Sequence, residues 1–345
     1  MKRLAIVALT LLTTTGLGGC TSPQSPAKEL NLFAWSEYVP QEVINGFAEE
    51  SGIRVHYESY ASNEEMLAKL VSGAQKYDLI QPSEYAVEAL AKERRLREID
   101  WSKVPNIENI APEFRNLPTD PEQKYSVPWM AGTVGIVVNT ERVTGDITAY
   151  GDVFQEKHRG RIVVVDDPRE IVSWALMTIG KRPNDVTAQT LAEVEGLLQR
   201  WLPLVRVYDS DSPKTALFNG DVDLGVVWSG EAARLYNEDS KFRYVLPAEG
   251  AHLFVDSLAI PIDAPNPEGA MQFMNYVLRA EVSRLISAAF PYTNPNLAAR
   301  KLLSAEELAN PASYPPAPPK LELFRDIGGA AVLVDKLVTD LKAQG

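Results

Sequence analysis

Cysteine is almost absent: Cys20 is the only one in 345 residues, so no disulfide can staple the fold from within one chain and packing must supply the stability. Histidine is nearly as scarce. His56, His158 and His252 share no metal-ligand spacing, so no metal site is expected, and His56 lies in a strand-like alternation that reads as structural. Long apolar runs are missing as well. The apolar stretch at the N-terminus, Leu4 to Leu12, falls short of the ~20 residues a membrane-spanning helix needs. No GxxxxGK[ST] loop occurs, so the chain has no phosphate cradle of its own to drive a transport step. Basic residues are in deficit, 34 Lys and Arg against 46 Asp and Glu for a formal charge of -12. Such a surface repels nucleic acid phosphates and anionic headgroups, and no nucleic acid partner is expected.

What is present begins with targeting. Lys2 and Arg3, the apolar stretch and Leu17-Gly18-Gly19-Cys20 have the charged, apolar and small-residue regions of a secretory signal. The segment around Cys20 resembles the lipobox of bacterial lipoproteins, which implies that the thiol receives a diacylglyceryl group and becomes the mature N-terminus. An ordinary signal peptide with an incidental cysteine is the alternative. Residues 1–19 read as signal peptide and 20–28 as lipidated N-terminus and polar tether, so the membrane is met through a lipid anchor only. Cleavage removes two basic residues and no acid, taking the formal charge from -12 to -14. The remainder exceeds what one hydrophobic core usually organises, so two lobes are expected. With 45% apolar residues and a mean hydropathy of -0.15 the chain is globular.

Strand and helix patterns alternate. Leu30 to Ala34 reads as a strand, Gln41 to Ser51 as a helix ending at Gly52, Ile53 to Tyr57 as a strand, a helix capped by Asn63 follows, and Asp78 to Ile80 is a third strand. This β-α-β-α-β start predicts a mostly parallel sheet, whose ligands bind beyond the carboxyl ends of the strands. A second unit has strands over 133–139, 161–165 and 224–228, helices through Trp174 and over 191–202 and 230–236, and a strand over 253–261 that carries the chain back. Five prolines between Pro311 and Pro319 predict a segment extended over the surface before a last helix over 329–342.

Several loop positions pair aromatic rings with acids. Trp35-Ser36-Glu37-Tyr38 suits a cation, through carboxylate acceptance and the ring quadrupole, yet also fits an aromatic core residue beside a solvated Glu. Asp167-Pro168-Arg169-Glu170 is a capping arrangement that starts a helix whether or not it meets a ligand. Trp228 at a strand end and Asp256 beside Phe254 repeat the pairing.

Six ordered segments carry a resemblance that spans nearly all the mature chain: Leu32-Phe-Ala-Trp-Ser-Glu-Tyr-Val-Pro40, Tyr77-Asp-Leu-Ile-Gln-Pro-Ser83, Asp166-Asp-Pro-Arg-Glu170, Leu224-Gly-Val-Val-Trp228, Asp256-Ser-Leu-Ala-Ile-Pro261 and Asn294-Pro-Asn-Leu-Ala-Ala-Arg-Lys-Leu-Leu303. Together they resemble the spermidine/putrescine-binding proteins of bacterial ABC importers. The resemblance implies an α/β, two-lobed periplasmic-binding-protein fold of type II, with each lobe a mixed sheet flanked by helices. The first lobe is expected over 29–132 and 260–305, the second over 133–259, and the tail 306–345 on either. It implies a monomer that captures spermidine or putrescine by lobe closure and delivers it to permease subunits, with no cofactor and no catalytic residue. The implied ligand contacts are Trp35, Ser36, Glu37, Tyr38, Ser83 and Tyr85 on one face, and Asp167, Glu170, Trp228, Phe254, Asp256 and Tyr292 on the other. Asp256 would hold a central ammonium, Glu170 and Asp167 one terminal amine, and Glu37 the other end. Phe254 stands where the family has tryptophan. A family glutamine aligns near Phe324 or Arg325, so Arg325 is counted with the site, either repelling an ammonium, pairing with a cleft acid or facing solvent. Glu84 is a further acid beside the cleft of open direction.

Two other classes compete. A secreted glycoside hydrolase could use Asp167 with Glu170, or Glu37 with Asp256, as acid and base. A binding protein of the same fold for a different small solute is the other alternative.

Overall fold

The computed structural model describes residues 28–36, 38–73, 75–316 and 320–344. The expected signal peptide, the expected Cys20 anchor, tether residues 20–27 and Glu37 lie outside the described residues, while Lys28, expected in the tether, opens the first strand. Strand β1 (Lys28–Trp35), helix Gln41–Ser51, β2 (Ile53–Tyr60), helix Asn63–Ser72 and β3 (Leu79–Ile80) form the expected opening. The first helix buries Val43, Ile44 and Phe47 and stops where Gly52 turns left-handed at φ 70°, a conformation that costs glycine nothing. In the second, Ser62 and not Asn63 is the cap, its hydroxyl accepting the Glu65 N–H at 3.1 Å. Asn63 is already helical, and its buried amide is used in the cleft.

The later strands are β4 (Ser126–Asn139), β5 (Ile162–Val164), β6 (Val205–Tyr208), β7 (Leu224–Trp228), β8 (Phe242–Val245), β9 (Ala251–Ala259) and β10 (Leu321–Glu322). Their order is β2-β1-β3-β9-β4-β7-β5-β6, with β8 on β4 and β10 on β9. Pairing is parallel at both flanks, among β2, β1 and β3 and among β7, β5 and β6. It is antiparallel in the centre, where β9 meets β3 and β4, and β4 meets β7 and β8. The expectation of a mostly parallel sheet thus holds only for the flanks, because β4 and β9 run back through the middle.

These two strands organise the molecule. Ser126–Thr133 of β4 pairs with β9, while Val134–Val138 pairs with β7, so one strand serves both halves of the sheet. It begins seven residues before the pattern predicts, since Pro128 sits at a register shift, where a missing N–H does no harm. The result is a mixed α/β fold of two lobes. The last helix, Ala330–Lys342, packs on helices Pro168–Thr178 and Ala188–Trp201. The proline-rich segment departs from expectation: residues 311–313 form a turn, with Ala312 and Ser313 buried and the Ser313 hydroxyl donating to the Pro291 carbonyl at 2.5 Å. Residues 317–319 lie outside the described residues.

Candidate functional site

Loops leaving the carboxyl ends of β1, β3, β5, β6 and β7 converge on one cleft, where open α/β sheets bind ligands. Of the expected residues, Trp35, Ser36, Tyr38, Ser83, Tyr85, Asp167, Glu170, Trp228, Phe254, Asp256 and Tyr292 line it. β9 crosses beneath, and its two-residue period sets His252, Phe254 and Asp256 on one face.

Asp256 is 2% exposed. Its carboxylate accepts the Ser83 hydroxyl at 2.6 Å and the Tyr38 hydroxyl at 3.0 Å, one on each oxygen. Burial pushes its pKa up to about 7; the charge of Glu84 adds to this, and the two hydroxyls oppose it. Ser83 is itself held by the Asn63 amide at 3.1 Å, which also reaches the Tyr85 hydroxyl at 2.9 Å. At the mouth, the Ser36 hydroxyl donates to Asp211, carried by the loop after β6, at 2.5 Å.

Rings wall the cleft. Trp228 meets Phe254 edge to face at 5.7 Å, Phe254 meets Tyr292 at 5.8 Å, and Tyr292 meets Tyr38 at 5.4 Å. Two glycines make room for them. A Cβ on Gly132 would lie 2.4 Å from the Phe254 ring, and one on Gly230 would lie 2.3 Å from the Tyr292 ring.

The far end is built on the N-terminus of helix Pro168–Thr178. Asp167 caps it, accepting the Arg169 and Glu170 N–H groups at 2.8 and 3.0 Å. Enclosure in the cleft, then the charges of Glu170 and Glu64, raise the Asp167 pKa to about 7 against those two bonds. Glu170 is buried, its carboxylate taking the Trp174 indole N–H at 3.2 Å and His252 Nδ1 at 2.5 Å. The other ring nitrogen of His252 faces Glu84 at 2.9 Å. Glu84 also accepts the backbone N–H groups of Val255 and Phe324 at 2.9 and 3.1 Å. Burial alone would lower the His252 pKa, but the flanking carboxylates Glu170 and Glu84 overcome it and hold it at about 10.

Arg325 is corrected. Its guanidinium grips Glu88 with two bonds, at 2.6 and 2.9 Å, away from the cleft lining. Phe324 lines the cleft instead, stacked on His252 with ring centres 3.5 Å apart and planes 5° from parallel. The pattern reading missed His252, Asn63, Glu64 and Asp211 as lining residues, and of the two positions aligned with the family glutamine it counted Arg325 where Phe324 lines the cleft. Strand parity with Phe254 and Asp256 marks His252 in the sequence. Asp211 and Asn63 carry no local signal, because only the assembled strand ends bring them to the mouth.

Residues 42–316 match the family model of bacterial extracellular solute-binding proteins. The chain belongs to that family. The spermidine/putrescine-binding periplasmic protein of Salmonella typhimurium is 36% identical over 333 residues, 95% of either chain. Among solved structures, the spermidine/putrescine ABC transporter substrate-binding protein PotD of Streptococcus pneumoniae superposes with a TM-score of 0.79 at 32% identity, covering 92% of this chain and 99% of that one. A PotD lipoprotein of Treponema pallidum gives 0.78 at 27% identity, over 92% and 100%. This is therefore an extracytoplasmic solute-binding protein of the ABC-importer type, similar throughout to polyamine-binding relatives.

Proposed function

We propose that the chain captures an aliphatic polyamine in this cleft and hands it to the permease subunits of an ABC importer, doing no chemistry on it. The carrying observation is Asp256, a buried carboxylate held by two neutral hydroxyls between aromatic faces. Its two oxygens keep lone pairs for an ammonium, and the rings flank the methylene chain. Trp35, Ser36, Tyr38, Ser83 and Tyr85 form one face of this site. Asp167, Glu170, Trp228, Phe254, Asp256 and Tyr292 form the other.

Magnitudes fit capture. Micromolar binding needs about -8 kcal/mol, and ammonium-carboxylate bonds of roughly 1.5 to 3 kcal/mol each plus stacked methylenes reach it after ordering costs. The lobes, 29–132 with 260–305 and 133–259, close about β4 and β9, and the closed monomer docks on the permease. A lipid on Cys20 tethers it. Titration calorimetry of residues 21–345 with spermidine and putrescine, against a neutral oligosaccharide, tests the reading: saturable one-to-one binding of an amine is expected. Heat with the oligosaccharide alone overturns it.

A further inference from the structure

His252 is buried at the wall of the cleft, and each of its ring nitrogens faces a carboxylate, Glu170 at 2.5 Å and Glu84 at 2.9 Å. Neither ionised carboxylate can donate, so both nitrogens serve as donors only if the ring is an imidazolium. Glu84 is fixed from behind by two backbone N–H groups, from Val255 and Phe324. The cation therefore stands in a preformed seat and is itself part of the wall.

That seat changes what the far end offers a ligand. Glu170 has one oxygen on His252 and the other on the Trp174 indole. Asp167 takes two backbone N–H groups of its own helix on one oxygen, Oδ1. Phe324 lies flat on His252, with the Arg169 guanidinium 4.7 Å from the same ring. A ligand ammonium driven to this end meets a fixed imidazolium and a ring face, with both Glu170 oxygens carrying donors and only Asp167 Oδ2 and Glu64 left to receive it. Asp256 at the centre and Asp211 with Ser36 at the mouth remain open to cations.

We propose that His252, seated between Glu84 and Glu170, is a built-in counter-cation that stands in for a third ligand ammonium, so that the cleft selects an aliphatic diamine over a triamine. The inference rests on the polyamine reading and deepens it. Specificity of this kind comes from a repulsive element against the longer ligand as much as from attraction to the shorter one.

Two measurements test it. Nitrogen-15 spectra of the ligand-free protein at about pH 8, well above the ~6.5 of a free imidazole, are expected to show both His252 nitrogens protonated. A neutral ring there overturns the proposal whatever the ligand. Calorimetry then compares putrescine with spermidine on the wild type and on the doubly neutralised Glu84→Gln, His252→Asn protein. The wild type is expected to prefer putrescine by at least about tenfold, and the double variant to lose at least about tenfold of that preference through tighter spermidine. An unchanged ratio in a variant with wild-type circular dichroism removes His252 from specificity. Binding of neither amine by the wild type sinks the polyamine reading itself, even with a doubly protonated ring.

Discussion

Asp256 concentrates the design at the scale of a single residue. Its hydrogen-bond partners Ser83 and Tyr38 carry no charge, so neither bond neutralises the buried carboxylate, whose pKa stays raised although the charge of His252 pulls it down. Replacing it with Asn keeps the shape and removes the charge. Asp256→Asn is expected to weaken amine binding by more than about tenfold, the cost of one charge-assisted bond, with an unchanged thermal melt; calorimetry at normal affinity would exclude Asp256 from the site. The same burial makes binding depend on pH. Asp256 and Asp167 both sit near 7, so an ammonium must displace protons from them. Affinity is expected to rise between about pH 5.5 and about pH 8, with proton release visible as heats that vary with the buffer's ionisation enthalpy.

His252 has the opposite linkage. Its folded pKa of about 10 lies above the ordinary 6.5, so its contribution to stability is complete below about 6.5 and is lost as pH rises through 10. Arg325 is a stability residue. Together with Lys92 and the Asp326 N–H it holds the Glu88 carboxyl down at about 2 although burial alone would raise it. That pairing persists at neutral pH and fails only in strong acid. Arg325→Gln is expected to lower the melting temperature while leaving amine affinity within about twofold; a tighter spermidine complex would place Arg325 in the cleft after all.

At the scale of elements, two devices position the site. The N-terminus of helix Pro168–Thr178 presents Asp167 and Glu170 because the capping residues of a helix point past its end. Capping and ligand contact are thus one geometry, which is why the sequence alone could not choose between them. The other device is the close approach of backbone to ring. Gly230→Ala puts a methyl into the Tyr292 ring and Gly132→Ala one into Phe254, and neither ring can move without opening the aromatic wall. Gly230→Ala is expected to cost about 1 to 3 kcal/mol of stability and several-fold in amine affinity, read by chemical denaturation and calorimetry on the same preparation.

For the whole molecule, β4 and β9 pair with each other and so join the two halves of the sheet, β9 through β3 on one side and β4 through β7 and β8 on the other. A ligand bound between the lobes therefore acts on a joint made of two long strands, and His252 and Asp256 lie on that joint. Closure is expected to reduce the radius of gyration in small-angle scattering when the bound amine is added. An unchanged scattering curve at saturation would show that capture proceeds without lobe movement.

Much of this could be read from residue order. The helix over Gln41–Ser51, the strand Leu224–Trp228 and the final helix follow from local apolar periodicity and end residues, which act within a few positions. Trp35, Tyr38, Ser83, Tyr85, Asp167, Glu170 and Trp228 were legible because they end or follow strands, and strand ends in an α/β sheet share an edge; Phe254 and Asp256 lie within β9 and Tyr292 follows a helix. Direction and pairing were not. Whether Glu84 faces the cleft, that Arg325 meets Glu88, that Asp211 reaches Ser36 and that His252 lies between two acids all depend on contacts between segments far apart in the chain. Those contacts depend on how the lobes fold back through β4 and β9, and burial then turns ordinary acids and one histidine into a preset electrostatic pattern.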